Sequence, residues 1–288
     1  MMDQAQSLRN IMAAYAQQPS NTRVITITSG KGGVGKSSLA VNLALALQRR
    51  GKRVLIIDMD FGLANIDVML GVKTQHDLYD VIQEKVDIVD AIESGLEGVR
   101  FISGGSGVYD LVKLNALQLH KIVNSLMRLD DLADIILFDT GAGISDNILS
   151  LIRSSHETIL VTTPEPTAIM DAYAMTKIIH QQNFETPPKI RLVLNRAESD
   201  REAQAAMTGF INIAKKYTGF ELEQMGYILR DDRMVNAVKM QSPLLVSYPR
   251  CIAAQNIDQL ASRLVDEPIV QHQRLGIATF LNRLLGKN

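Results

Sequence analysis

The sequence predicts an α/β fold, a mostly parallel sheet flanked by helices. Short apolar runs of strand length alternate with longer runs of helical periodicity, as crossover units require. Among these strand-length runs, Val54-Leu55-Ile56-Ile57 is apolar throughout rather than alternating, which is the pattern of a strand buried on both faces. The first of them, Val24-Ile25-Thr26-Ile27-Thr28, runs straight into a glycine-rich stretch that opens a helix.

That stretch is Ser29-Gly30-Lys31-Gly32-Gly33-Val34-Gly35-Lys36-Ser37, and the helical run Ser38–Leu47 follows it. Gly30, Gly35, Lys36 and Ser37 satisfy the phosphate-loop pattern G-x-x-x-x-G-K-[ST], in the strand–loop–helix setting that the pattern needs. Glycines let backbone amides approach a phosphate. Lys36 reaches the terminal phosphates, and the Ser37 hydroxyl suits Mg²⁺. The chain is therefore expected to be a single P-loop domain that binds the phosphates of a nucleotide with Mg²⁺.

The remaining elements follow in order. Residues 3–16 have helical spacing and end at the linker Gln17-Gln18-Pro19-Ser20-Asn21, so residues 1–21 stand apart as either a frayed helix or a docking peptide. Val54-Leu55-Ile56-Ile57 is a buried strand ending at Asp58-Met59-Asp60, where open α/β sheets bind ligands. A helix is expected over 77–93, a strand at 99–102, a turn at 103–107 and a helix over 116–130. Ile135-Ile136-Leu137-Phe138 is another buried strand, closed by Asp139-Thr140-Gly141-Ala142-Gly143. An acid at that place usually serves Mg²⁺. Further strands are expected at 158–163, 190–194 and 227–229, with helices over 167–181 and 202–217. At the end of the chain Ile277, Phe280, Leu281, Leu284 and Leu285 recur at helical spacing, with Arg283 and Lys287 opposite. This pattern suits a helix in a membrane interface and equally a terminal helix packed on the core. The domains are accordingly drawn as 1–21, 22–270 and 271–288.

Composition narrows the function. With 46% hydrophobic residues in 288, the chain has ample material for a core. A net charge of −1 gives no whole-chain footprint for nucleic acid. The single cysteine, Cys251, excludes an internal disulfide and any multi-cysteine metal or iron–sulfur site, and reads as a small buried hydrophobe. A polar N-terminus and the lack of a bilayer-length apolar run point to a cytoplasmic protein.

With a second lysine at Lys31, the loop K-G-G-V-G-K-S resembles the deviant phosphate loop of the MinD/ParA ATPases. Asp58 and Asp60, the strand-end Asp139, and Asn195-Arg196 also resemble that family, over roughly residues 22–285. Three further features are similar to its flagellar-number-regulator branch, FlhG (YlxH/FleN). Asp3-Gln4-Ala5-x-x-Leu8-Arg9 matches the branch's D-Q-A-x-x-L-R signature. Asp60-Phe61-Gly62-Leu63-Ala64-Asn65 looks like the first switch of MinD and FlhG. Phe280-Leu281-Asn282-Arg283-Leu284-Leu285-Gly286 is similar to the membrane-targeting tail of MinD, which favours the membrane reading of the tail.

The resemblance implies a nucleotide-gated homodimer. Gly30, Gly32, Gly33, Val34, Gly35, Lys36, Ser37 and Ser38 would cradle the phosphates, and Asn195 and Arg196 would line the adenine. Ser37, Asp58 and Asp139 would serve the metal. Asp60 would orient the attacking water. Lys31 would cross to the other subunit's phosphates, as an arginine finger does. Asp3, Gln4, Ala5, Leu8 and Arg9 would contact an FlhF-type GTPase, with flagellar switch-complex proteins as further partners. The tail would bind membrane lipids peripherally when ATP is bound. Two departures stand out: Thr140-Gly141-Ala142-Gly143 replaces the usual proline-containing second switch, and Ser37 stands where many relatives carry Thr. The competing expectation is a ParA-type DNA-partition ATPase, against which the near-neutral charge and the amphipathic tail both argue.

Overall fold

The computed structural model describes residues 22–60, 65–104, 125–182, 188–266 and 276–284. The described residues include one sheet of eight strands in the order β3-β4-β2-β5-β1-β6-β7-β8. The strands are β1 (Arg23–Ser29), β2 (Val54–Met59), β3 (Glu93–Ser94), β4 (Arg100–Ile102), β5 (Ile135–Ala142), β6 (Glu157–Thr162), β7 (Lys189–Ala197) and β8 (Glu223–Leu229). Only β3, a two-residue edge strand, runs antiparallel, against β4. Every other pairing is parallel.

The helices are α1 (Lys36–Arg49), α2 (Ile66–Leu70), α3 (Leu78–Ile82), α4 (Leu129–Leu132), α5 (Asp146–Ser154), α6 (Pro166–Gln181), α7 (Asp200–Thr218), α8 (Asp232–Lys239), α9 (Leu244–Ser247), α10 (Ile252–Asp266) and α11 (Ile277–Leu284). The sequence pattern separates the two faces of the sheet. On β1 and β5, Ile25, Ile27, Ile135 and Leu137 point to the face covered by α1 and α10. Val24, Ile136 and Phe138 point the other way, beneath α3 and α11. Side chains alternate along a strand, so a strand apolar on both parities must be sandwiched. Helix α1 is rich in Leu and Ala and buried nearly all round, between the sheet and α10. Helices α6 and α7 cover β6 and β7 on the second face. At the amino ends of the strands, away from any glycine-rich loop, Arg23 and Arg191 share the buried carboxylate of Glu157.

Two expectations differ from the structure. The helix expected over 77–93 stops at Ile82. Glu84 adopts φ 59°, and the Asp87 carboxylate turns back onto the Val89 amide, a local bond that competes with helix. The helices α8 and α10 carry residues that the sequence reading passed over. The expected helix over 116–130 lies partly outside the described residues, as does the helix over 3–16.

The tail helix α11 packs within the core. Ile277, Ala278, Phe280 and Leu281 are buried, and Phe280 stacks on Phe138 of β5 with ring centroids 5.0 Å apart. Its first turn is anchored by Gly276 N–H donating to the Thr22 carbonyl and Ile277 N–H to Asp130 Oδ1. No helix among the described residues is long and apolar enough to cross a membrane. A docked tail of this kind makes Phe280→Ala costly. We expect a loss of about 3 kcal/mol in stability, read from the midpoint of chemical denaturation. A tail lying free of the domain would leave the midpoint unchanged.

Candidate functional site

The loop Gly30–Ser37 leaves β1 and enters α1 at the carboxyl end of the sheet. Two of its glycines are dictated by close approach. A Cβ on Gly30 would lie 2.4 Å from the Asp171 backbone on α6. A Cβ on Gly35 would lie 2.4 Å from Asn195 Nδ2, and Gly35 also takes the left-handed φ of 97° that caps α1. The start of α1 has no side-chain cap and no acidic residue in its first turn. Its first amides and the positive end of its dipole are thus open to an anion.

Asn195, near the carboxyl end of β7, acts as a clamp on this loop. Its Nδ2 donates to the Val34 carbonyl at 2.7 Å and its Oδ1 accepts from the Arg196 amide at 2.9 Å. Arg196 itself is exposed, at φ 61°. Both residues border a cavity of about 840 Å³, together with Gly35, Ser38, Asp231 and Val235. The wall supplied by the end of β8 and by α8 was missed in the sequence. The signal available was Asp231-Asp232 directly after a strand, a helix-start pattern. The Asp231 side chain does cap α8, accepting from the Arg233 amide.

The acids gather next to the loop. Strands β2 and β5 pair with Asp58 directly opposite Asp139, and β1 pairs on the other side of β5 with Ile27 opposite Asp139. The β1–β5 register slips just beyond this point, between Ile27 and Ser29, so that the end of β5 bulges at the site. Both carboxylates are about 1% exposed or less. Burial pushes the Asp58 carboxyl up to about 6, against the opposing pull of backbone amides from Asp60, Asn65 and Ile66. Burial pushes Asp139 up to about 7; the Ser37 hydroxyl and the Lys36 ammonium pull it down, and the charges of Asp58 and Asp60 push it further up. Ser37 is near enough to act on Asp139 but does not complete a hydrogen bond, since both Asp139 oxygens are buried without a partner among the described residues. A buried carboxylate with free lone pairs, beside a serine hydroxyl and below an anion-binding helix end, is the oxygen donor set that Mg²⁺ takes. The residues present fit both the metal and a nucleoside phosphate.

Asp60 is half-buried, with Oδ1 3.5 Å from where a Cβ on Gly141 would stand, so it rests against the bulged end of β5. The two loop lysines part company. Lys36 is buried within the loop on the Asp139 side. Lys31 turns outward, and its Nζ donates to Glu165 Oε2 at 3.1 Å and to Thr167 Oγ1 at 2.8 Å at the start of α6. Gly32 and Gly33 are open, and nothing stands within 4 Å of a Cβ built on Gly33. Asp58, expected to support the metal, accepts backbone amides on both oxygens, from Asp60 on Oδ1 and from Asn65 and Ile66 on Oδ2. Ile277, Phe280, Leu281 and the half-buried Leu284 face the core. Asp3, Gln4, Ala5, Leu8, Arg9 and Leu285 lie outside the described residues.

A family model described as ParA, NUBPL iron-transfer P-loop NTPase matches residues 20–265. The antiactivator FleN of Pseudomonas aeruginosa is 34% identical over 263 residues, covering 91% of this chain and 93% of that protein. The flagellum site-determining protein YlxH of Helicobacter pylori is 33% identical over 295 residues, covering 99% of both. Among solved structures, the septum site-determining protein MinD of Pyrococcus horikoshii complexed with Mg-ADP is similar, with a TM-score of 0.68 and 28% identity, covering 85% of this chain and 96% of that one.

The buried acids set a pH dependence whose sign is definite. Both folded-state values lie above the unfolded carboxylate range, so folding binds protons between about pH 4 and pH 7. Their stabilising share is complete at low pH and is lost as pH rises through about 6 and 7. The nucleotide-free protein should therefore gain stability from these groups between pH 8 and pH 5. Asp139→Asn should flatten that slope and raise stability at pH 8 by on the order of 2 kcal/mol. Thermal unfolding across this range checks both. A variant as pH-sensitive as the parent would contradict the assignment.

Proposed function

The chain belongs to the ParA family of P-loop NTPases, and from that membership we propose that it is a MinD-like ATPase that regulates the number and placement of flagella. ATP binding would drive homodimerisation, and hydrolysis would be slow and dimer-dependent. The observation that carries this reading is the divergence of the two loop lysines. Lys36 is buried on the Asp139 side of its own loop, which supports a hold on phosphates in its own subunit. Lys31 points away from its own loop and pairs with exposed side chains at the start of α6, a contact it would exchange for a nucleotide bound by a second copy.

In this reading Ser37 and Asp139 would hold Mg²⁺, which would supply neutralisation of the nucleotide's phosphate charge. The amides of Gly30 to Ser38 bind the phosphate oxygens. Asp60 accepts a hydrogen bond from the attacking water and aligns it. Lys31, arriving from the other subunit, offsets the charge that develops on the transferred phosphoryl group. Asn195 holds the loop in its binding shape, and the cavity beside it, with Arg196, takes the base. The iron-transfer activity in the family model's description fits poorly, because metal transfer needs several soft ligands and the one cysteine is buried.

Outputs of the dimer would lie at the chain's two ends. The FleN and YlxH relatives and the D-Q-A-x-x-L-R signature support contacts of residues 3–9 with an FlhF-type GTPase, and support flagellar switch-complex proteins as further partners. The apolar face of α11 supports peripheral membrane binding in the ATP state, but since that face is buried on the sheet, it must first leave its groove. A DNA-partition role is the weaker reading. The net charge is −1, and Arg49, Arg50, Arg53, Arg128 and Arg230 are all paired with acids.

ATP turnover per molecule should rise with protein concentration. Lys31→Ala should remove that rise, lowering turnover by about 10³-fold while leaving ATP binding in place. Lys36→Gln should instead lose ATP binding. Turnover independent of concentration and unchanged by Lys31→Ala would overturn the dimer reading. Separately, the protein should sediment with anionic liposomes in ATP and remain in solution in ADP. Leu284→Glu, at the half-buried edge of α11, should abolish the sedimentation without loss of ATP binding. Equal sedimentation in both nucleotides, or an unaffected Leu284→Glu protein, would remove the tail from the membrane contact.

A further inference from the structure

Asp58 is among the most deeply buried charged groups of the protein, and both its oxygens accept backbone amides. It sits one residue before the end of β2 and is 1% exposed. Oδ1 accepts the Asp60 amide at 2.9 Å. Oδ2 accepts the Asn65 amide at 3.1 Å and the Ile66 amide at 3.4 Å. One carboxylate therefore ties together residues on both sides of the segment that carries Asp60.

Each end of this strap has a local cause. The bond to Asp60 is the turn that an aspartate makes with the amide two residues on. The bonds to Asn65 and Ile66 fall on the first amides of α2. Asn65 is the N-cap of that helix, yet its own side chain makes no capping bond. Asp58 supplies from the strand what the cap residue does not, and its charge lies at the positive end of the helix. All three partners are donors, so two acceptor oxygens are needed. An amide side chain would turn an NH₂ group towards one of the backbone N–H groups.

The strap ends where the chemistry of the proposed site begins. Asp60 rests against Gly141, and Asp139, two residues before Gly141, is directly opposite Asp58 in the β2–β5 register. The two carboxylates differ in what they have left to offer. Asp139 keeps both oxygens free, whereas Asp58 spends both on backbone amides.

We propose that Asp58 is a positioning residue, which holds Asp60 in its hydrolytic position by bonding the amides of Asp60, Asn65 and Ile66, rather than a ligand of the magnesium site. This rests on the reading of the protein as an ATPase in which Asp60 aligns the water. It assigns the metal to Ser37 and Asp139 alone, and it makes Asp58 act only through Asp60. A misplacement of about 1 Å at a water-aligning group costs on the order of 10²-fold in rate, and that is the size of effect expected from breaking the strap.

The test is a double-mutant cycle on the full-length protein with Asp58→Asn, Asp60→Ala and both together. ATP turnover, affinity for a fluorescent ATP analogue and the Mg²⁺ concentration giving half-maximal turnover are measured for each. Asp58→Asn should lower turnover by about 10²-fold, with nucleotide affinity and half-maximal Mg²⁺ within a few-fold of the parent. In the Asp60→Ala background it should have no further effect on turnover. Additive losses, or a large rise in the Mg²⁺ requirement with recovery at high Mg²⁺, would overturn the proposal and return Asp58 to the metal.

A second measurement needs no variant and no nucleotide. Hydrogen exchange in the parent protein should show slow amides at Asp60, Asn65 and Ile66, and fast exchange there would overturn the strap even where Asp58→Asn fails to fold. The underlying reading fails in a distinguishable way. A parent protein without ATP turnover, or an Asp60→Ala protein with full turnover, would remove the role of Asp60 whatever the amides at the strap show.

Discussion

Two carboxylates buried side by side are the constraint on which the rest of the site depends. The parallel register of β2 on β5 sets Asp58 against Asp139, both shut away from water and both raised well above the ordinary carboxylate range. Burying an ionised carboxylate is unfavourable by several kcal/mol unless something compensates it. The protein compensates the two acids differently. Asp58 is satisfied from within, by three backbone amides. Asp139 is left without a hydrogen-bond partner, near a lysine and a serine hydroxyl, so its stabilisation must come from what binds there. The first acid thereby ties the end of β2 to the start of α2, and the second keeps acceptor capacity that suits a cation.

The phosphate loop is held open by contacts on its outer side. Gly30 is pressed on the backbone of α6 and Gly35 on the Asn195 amide, and Asn195 bonds the Val34 carbonyl. The outer surface of the loop is thus taken up by α6 and β7. The same arrangement sends Lys31 outwards to Glu165 and Thr167, while Lys36 stays within. A site that places one cation over its own phosphates and another towards solvent is suited to completion by a second subunit.

The tail helix puts a further condition on function. Its apolar face belongs to the same core cluster as Phe138 and Leu151, on the face of the sheet opposite α1. A membrane contact by this helix would compete with the protein's own core for the same side chains. Such competition makes the helix a switch only when nucleotide binding weakens its groove. That groove is built in part on Phe138, which directly precedes Asp139 on β5.

The phosphate loop, the buried strands and the strand-end acids were legible in the sequence because each is local. Glycines at fixed spacing, unbroken apolar runs and an acid closing such a run leave a signature within about ten residues of chain. The family resemblance was legible for the same reason, through Lys31 and the motifs around it. What the sequence left open depends on partners distant along the chain. The periodicity of α11 describes an apolar stripe without saying whether lipid or Phe138 will cover it. The helix expected over 77–93 ended early because Glu84 and Asp87 found local bonds and a turn that suited the edge of the sheet better than a continued helix. Asn195 borders the cavity expected for the base and also clamps the loop, 161 positions from the carbonyl it holds. The place of Asp58 beside Asp60 suggests a metal residue, and only the packed chain shows that three backbone amides donate to its two oxygens. Residue type and spacing determine which groups are available at a site; only the packed sheet decides which of their lone pairs and protons remain unspent.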